Sequence, residues 1–329
     1  KSLPSIYGAS EPQMNANNLR TKGYELVLGW RDSFKLAGST FSYGITGTFS
    51  DYTAEYTKCD NPTGLIGDPY VGKKYGEIWG YKVDGLFRND KEAAEYASRI
   101  DLSTVASGYY TATGAYGKGV RGGDIKYLDL NGDNIVNGGK GTLDDPGDRR
   151  VIGNSSPRYQ YGASLNFSWY GFDVSVFMQG IGRLDWYPGA DNLRFWGPYC
   201  RPYATFVPKN FMSQVWSEEN PDAYFPRARA YTSLNSTQGT AYYTNDRYLQ
   251  NLAYCRLKNL TIGYTIPRRL TSKVGIKECR IYFSGENLAT WSALKSDFLD
   301  PEQAAADSDK KANVYPWCKT YSIGLNLTF

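Results

Sequence analysis

At 329 residues, with 37 basic and 33 acidic side chains well mixed along the chain, the net charge of +4 forms no basic stripe, and nucleic acid is excluded as a partner. The absence of any histidine removes Ser-His-Asp and Cys-His nucleophilic machinery and the His-bearing zinc, iron and copper sites in one step. Aromatics at 16% and 35 glycines mark a composition of strands and turns, and no stretch approaches the roughly 20 consecutive apolar residues of a membrane-spanning helix, so any membrane is crossed by strands.

The opening KSLPSIYGASEPQMNANN lacks the basic, apolar and small-residue zones of a signal peptide. Strands are then predicted by period-two alternation. The first, over 22–31, puts Tyr24, Leu26, Leu28 and Trp30 on one face. After a short link, DSFKLAG, the run 39–57 puts Phe41, Tyr43, Ile45 and Phe49 on one face, closing a hairpin. A second and tighter hairpin follows over 158–169 and 172–183, with Tyr161, Leu165, Phe167 and Trp169 alternating before the turn Tyr170–Gly171, and Phe172, Val174, Val176 and Met178 after it. The remaining strands are expected over 250–266, 279–289 and 319–329, the last with Tyr321, Ile323, Leu325, Leu327 and Phe329 on its apolar face.

These are about seven strands, most near the 9 to 11 residues that a tilted strand needs to cross a bilayer. Short links follow Arg31, Trp169 and Ile266, whereas those after Tyr56, Gly180 and Leu288 are long and rich in Gly, Pro, Asp, Tyr and Trp. Short turns at one end and long loops at the other are the pattern of an outer-membrane barrel with extracellular loops. A soluble β-sandwich or propeller shares the alternation, but the span from Tyr56 to Arg158 far exceeds the usual link of a compact soluble domain. The fold class expected is therefore all-β: a transmembrane antiparallel β-barrel, to which residues 1–329 contribute part of the wall, since seven strands fall short of the eight of the smallest bacterial barrels.

Within the longest loop, GDIKYLDLNGDNIVNGGKGTLDDPGD sets Asp129, Asn131 and Asp133 at alternate positions, followed by Ile135 with a backbone carbonyl to offer. Hard cations want oxygen donors so arranged, and calcium is the natural occupant, with a structural role in tying down the loop. The match to an EF-hand loop is partial: Asn134 stands where Gly is expected and Lys140 where a bidentate Glu should close the shell. Asp148 is the best closing carboxylate, with Asp144 or Asp145 as alternates; the competing reading is a solvated turn whose side chains bond its own backbone. Further on, Trp186, Trp196 and Tyr199 lie near Arg194 and Arg201, a mix of flat rings and cations suited to ligand or lid contact, or equally to packing a long loop onto itself. The run 88–100 reads as a short surface helix. The five cysteines, Cys59, Cys200, Cys255, Cys279 and Cys318, are widely spaced without a C-x-x-C, which argues against a zinc site or a disulfide scaffold.

Several blocks at matching spacing carry a resemblance: NANNLRTKGYELVLGWRD, VGKKYGEIWGYKVDGLF, GDIKYLDLNGDN, DRRVIGNSSPRYQYGASLNFSWYGFDVSVFMQG, YCRLKNLTIGYTIP, RIYFSGENLATWS and the triplet Asp300, Pro301, Glu302. The chain resembles the C-terminal portion of a SusC-like TonB-dependent outer-membrane transporter (SusC/RagA family). Ser322, Gly324, Leu327 and Phe329 resemble the terminal signal by which barrels are handed to the outer-membrane assembly machinery. The resemblance implies the last strands of a 22-stranded barrel whose plug domain is not in this chain, located in the outer membrane of a Gram-negative bacterium. It implies TonB-dependent import, without enzymatic chemistry, of an oligosaccharide or oligopeptide. The implied partners are a SusD-like surface lipoprotein lid, the TonB complex through the missing N-terminal region, the rest of the barrel and outer-membrane lipid, with transporter–lipoprotein pairs as a candidate dimer. The competing reading is a secreted, calcium-stabilised β protein that binds or hydrolyses carbohydrate.

Overall fold

The computed structural model describes residues 16–111, 119–190, 192–200, 207, 209–229, 240–296, 298–306, 315 and 317–329. The chain first forms β1 (Asn18–Leu36) and β2 (Ser39–Lys58), then the short β3 (Glu77–Tyr81), β4 (Val83–Leu86), β5 (Ile125–Tyr127) and β6 (Arg149–Asn154). It continues with β7 (Arg158–Trp169), β8 (Phe172–Arg183), β9 (Asp185–Trp186), β10 (Gln250–Asn251), β11 (Tyr254–Thr265), β12 (Glu278–Ser292) and β13 (Thr320–Thr328). Seven of these pair into one sheet in the order β1-β2-β7-β8-β11-β12-β13, antiparallel throughout, so each long strand lies beside the next long strand in the chain.

Two of the short connections are two-residue turns with positive φ at both positions: Ala37 (48°) with Gly38 (84°), and Tyr170 (48°) with Gly171 (85°). This is the geometry whose twist matches the flanking strands. The stretch expected as a link after Arg31 is strand as far as Leu36, because Phe34 and Leu36 resume the alternation beyond Asp32 and Phe34 sits opposite Phe41. The two hairpins are thus equally tight, which corrects the expectation of a looser first one. The run expected as one strand over 250–266 is divided: Gln250 and Asn251 pair with β9, and the long strand starts only at Tyr254.

Opposed residues carry each face across the whole sheet. One row runs Trp30, Ile45, Leu165, Val176, Leu260, Gly285, Tyr321, and the next runs Asp32, Tyr43, Phe167, Val174, Ile262, Phe283, Ile323. The opposite face carries Arg31, Gly44, Asn166, Ser175, Thr261, Ser284 and Ser322. On the apolar face Leu165 is 37% exposed, Ile262 41% and Leu325 57%, with Val174 half-buried, so no second layer of the described chain covers these side chains.

The hydrophobic core lies elsewhere. The three long excursions, between β2 and β7, β8 and β11, and β12 and β13, emerge at the same end of the sheet and fold together into a lobe. Its core joins Phe87, Tyr127 and Val136 from the first excursion, Trp196, Tyr248 and Leu252 from the second, and Leu299 and Ala304 from the third. Short ribbons β3–β6, β4–β5 and β9–β10 brace it. The surface helix is Asp90–Ala97, started by Asn89, whose side chain accepts from the Glu92 N–H. The buried Asn245 is fully engaged: it donates to Tyr187 Oη (3.0 Å) and the Tyr243 carbonyl (2.8 Å) and accepts from the Tyr248 N–H (3.1 Å). Asp124 and Arg229 form a buried ion pair at 2.7 Å.

Candidate functional site

The polar face of the sheet holds two charge clusters. Near the short turns, Arg280 of β12 reaches across Gly263 of β11 to Asp173 of β8, with Nε–Oδ1 at 2.9 Å. A Cβ at Gly263 would come within 2.5 Å of both Asp173 Oδ1 and Arg280 Nη2, so glycine lets the pair span the intervening strand without displacing either side-chain tip. Near the lobe, Arg256 pairs in register with Gln179 and Thr290, on the polar face, and is 1% exposed. Its guanidinium is held by Asp300 and by Glu302 (2.8 Å), and Lys258 also reaches Glu302 (2.8 Å). Asp300 in turn caps the helical turn Pro301–Ala304 by accepting from the Glu302 and Gln303 N–H groups. The β12–β13 excursion is thereby anchored over the polar face of the wall. No sequence signal links Asp300 and Glu302 to Arg256 and Lys258, because the partners are more than forty residues apart.

The candidate cation loop is well ordered by its own backbone. Asp129 accepts from the N–H groups of Gly132 (2.7 Å) and Asn134 (2.9 Å), and Asp133 from those of Ile135 (2.8 Å) and Asn131 Nδ2 (2.9 Å). Asn131 Oδ1 accepts from the Asp133 N–H (3.1 Å). Asp148 is fully buried and accepts from the N–H groups of Leu130 (2.7 Å) and Asn137 (2.8 Å), while the Ile135 carbonyl takes the Asn137 amide. Asn134 adopts φ 65°, the left-handed conformation for which glycine was expected, and one that asparagine tolerates. Among the described residues no three His, Cys, Asp or Glu side chains are placed to hold a metal ion. Asp129, Asn131 and Asp133 turn oxygens to loop N–H groups, the Asx-turn arrangement.

The aromatic residues expected to meet a ligand are in the lobe's interior. Trp186, Trp196 and Tyr199 are all buried, so packing accounts for them, and Arg201 lies outside the described residues. Phe195, Phe211, Phe225 and Phe298 line a cavity of about 140 Å³ where the second and third excursions meet. Arg194 and Lys295 also line it. Lys295 stands 4.8 Å over the ring of Tyr224, whose phenol burial pushes up to about 12, so that the ring stays neutral beneath the cation. No periodicity marks these residues, since they come from irregular segments a hundred positions apart.

In β13, Ser322 sits opposite Ser284, and Gly324 lies under the ring of Tyr282, which a Cβ would strike at 2.2 Å. Leu327 sits opposite Cys279 on the other face, and Phe329 follows, largely exposed. The four residues expected as an assembly signal are thus split between the two faces.

A wall of strands with one apolar face left uncovered, one polar face, and loops gathered at a single end is part of a membrane β-barrel. Comparison narrows the class. No protein-family model matches the chain. It is 24% identical to TonB-dependent receptor P3 of Formosa agariphila over 349 aligned residues, covering 99% of this chain and 30% of that receptor. It is 26% identical to TonB-dependent receptor P26 of the same organism over 347, covering 99% and 31%. In fold it is similar to the RagAB peptide transporter, with a TM-score of 0.64 at 18% identity over 100% of this chain and 31% of that one. The resemblance to the C-terminal portion of a SusC-like TonB-dependent transporter is supported from both directions. The chain spans about a third of the length of the curated relatives it matches.

Proposed function

We propose that the chain is part of the wall and extracellular cap of an outer-membrane importer energised through TonB. The observation that carries this is the pair of rows, apolar except at Asp32 and Gly285, that cross all seven strands without a covering layer, beneath a lobe that has a core of its own. Lipid satisfies the apolar rows, and the polar face then lines a lumen. Because open sheet edges do not survive in hydrocarbon, β1 and β13 pair with further strands, completing a 22-stranded barrel around a plug supplied by another part of the protein. The lobe forms the extracellular mouth, over which a SusD-like lipoprotein closes, and such pairs assemble as dimers. No covalent step is involved: ligand is trapped between lid and loops, and movement of the plug opens the lumen.

The similarity to TonB-dependent receptors and to a RagAB peptide transporter supports this reading. A secreted carbohydrate-active protein is disfavoured by the uncovered apolar face, which in water would be an association site. Fractionation of cells expressing the full-length gene tests the assignment. The protein is expected in the outer membrane, leaving it only with detergent and shifting in mobility on heating before electrophoresis. Recovery in the soluble fraction would overturn it. Uptake is tested separately, by deleting the gene and following import of peptide and glycan mixtures.

A further inference from the structure

The cavity between the second and third excursions has a built chemistry that the importer reading does not use. Its floor is three phenyl rings, Phe195, Phe211 and Phe225, which are 3%, 6% and 4% exposed. They pack against each other, with centroids 5.3 Å apart for Phe211 and Phe225 and 5.8 Å for Phe195 and Phe225. At about 140 Å³ the space is close to that of a cavity known to take one benzene-sized group. Two cations, Arg194 and Lys295, stand at its lining, and among the described residues no aspartate or glutamate does. Arg194 is half-buried, and among the described residues no carboxylate pairs with it or with Lys295. A half-buried guanidinium with no counter-charge among the described residues, beside a phenyl-floored cavity, is matched by a ligand that brings one apolar group and one anionic group a few bonds apart.

We propose that this cleft binds the C-terminal residue of a peptide, its apolar side chain seated on Phe195, Phe211 and Phe225 and its α-carboxylate held by Arg194 and Lys295. The proposal rests on the importer reading and deepens it by naming the cargo class as peptides with a free apolar C-terminus. Neutral oligosaccharide supplies no charge for either cation, which leaves only Asn210, Gln214 and Ser296 of the lining as uncharged polar side chains to meet its hydroxyls. A planar carboxylate, by contrast, suits the fork of an arginine.

The test uses the full-length transporter purified from outer membranes in detergent, with its lipoprotein if the two co-purify. The probe is the tripeptide alanyl-alanyl-phenylalanine, titrated by calorimetry as the free acid and as the C-terminal amide. The acid is expected to bind at least about tenfold more tightly than the amide, the scale of one charge-assisted hydrogen bond. Arg194→Met and Lys295→Met should each remove that preference while leaving amide binding within about twofold, and Phe211→Ala should weaken acid and amide alike. Equal binding of acid and amide to the unaltered protein would overturn the proposal. So would Arg194→Met and Lys295→Met that keep the acid preference but release the lipoprotein, since the cleft would then be a partner's docking point. Both variants are first checked for the heat-induced mobility shift of a folded barrel. A protein that inserts normally yet shows no acid preference sinks this site alone, whereas a protein absent from the outer membrane sinks the importer reading.

Discussion

Phe167 in the wall and Phe195 in the lobe carry the same side chain, yet the first is 41% exposed and the second 3%. The contrast extends to whole segments. In the wall, period two sorts apolar residues onto one face of a single sheet, and they stay uncovered from β1 to β13. In the lobe, aromatics come at irregular spacing on excursions long enough to fold back on one another, and they close a core. At roughly 25 cal/mol per Å² of apolar surface removed from water, a sheet with two such rows open to water would be strongly driven to associate, so the wall requires a neighbour that the lobe does not. One chain therefore contains a region that folds by excluding water from itself and a region that relies on lipid.

The largest effect that would break this comparison is in the lobe. Trp196→Ala removes a fully buried indole that packs on Phe195 and Tyr248 and is expected to cost about 3–5 kcal/mol. Hydrogen exchange should show lost protection at Tyr248 and Leu252 with β7, β8 and β11 unaffected. Wall amides opening together with the lobe would show that the two regions are one cooperative unit. Next comes the wall. Ile262→Arg places a charge on the apolar face and is expected to cost about 2–4 kcal/mol if the residue lies near the bilayer midplane, with little folded barrel recovered, whereas Ile262→Phe should insert normally. Equal recovery of both variants would mean that the face touches water.

Smaller effects sharpen the boundary between the regions. Asp148→Asn leaves the shape of a buried acceptor but turns an amide group toward N–H donors of Leu130 and Asn137, for an expected cost of about 1–3 kcal/mol confined to the loop 129–148. Gly263→Ala displaces the tips of Asp173 and Arg280, both of them partly exposed, and should cost below about 1 kcal/mol by thermal unfolding in detergent. A loss several times larger would mean that the strands themselves separate.

The wall was legible in the sequence because its defining signal is local: alternation at Leu165, Phe167, Val174 and Val176 needs no knowledge of the partner strand. Where tertiary context intervenes, legibility fails. Gln250 and Asn251 carry the alternation into β11 but are drawn off by β9, and Asp32 to Leu36 continued a strand that turn-like composition had seemed to end. The site was less legible still. Trp186, Trp196 and Tyr199 stood out because large rings near cations suit both ligands and cores, and only burial separates the two uses. Arg256 with Glu302, and Arg194 with Lys295, meet through folding of distant loops, which no spacing rule records.

The smallest expected effect concerns calcium in the loop 129–148. A cation there would have to compete for oxygens that already accept N–H groups of Gly132, Asn134 and Ile135 at 2.7 to 2.9 Å. The loop also has a second anchor independent of any ion, the buried Asp148. Calcium added to the chelator-treated protein is therefore expected to leave exchange protection at those three amides unchanged. A saturable, calcium-dependent rise in protection, abolished by Asp129→Asn, would instead place a cation in this loop. It would also mean that the lobe, like the wall, depends on something outside the chain to hold its shape.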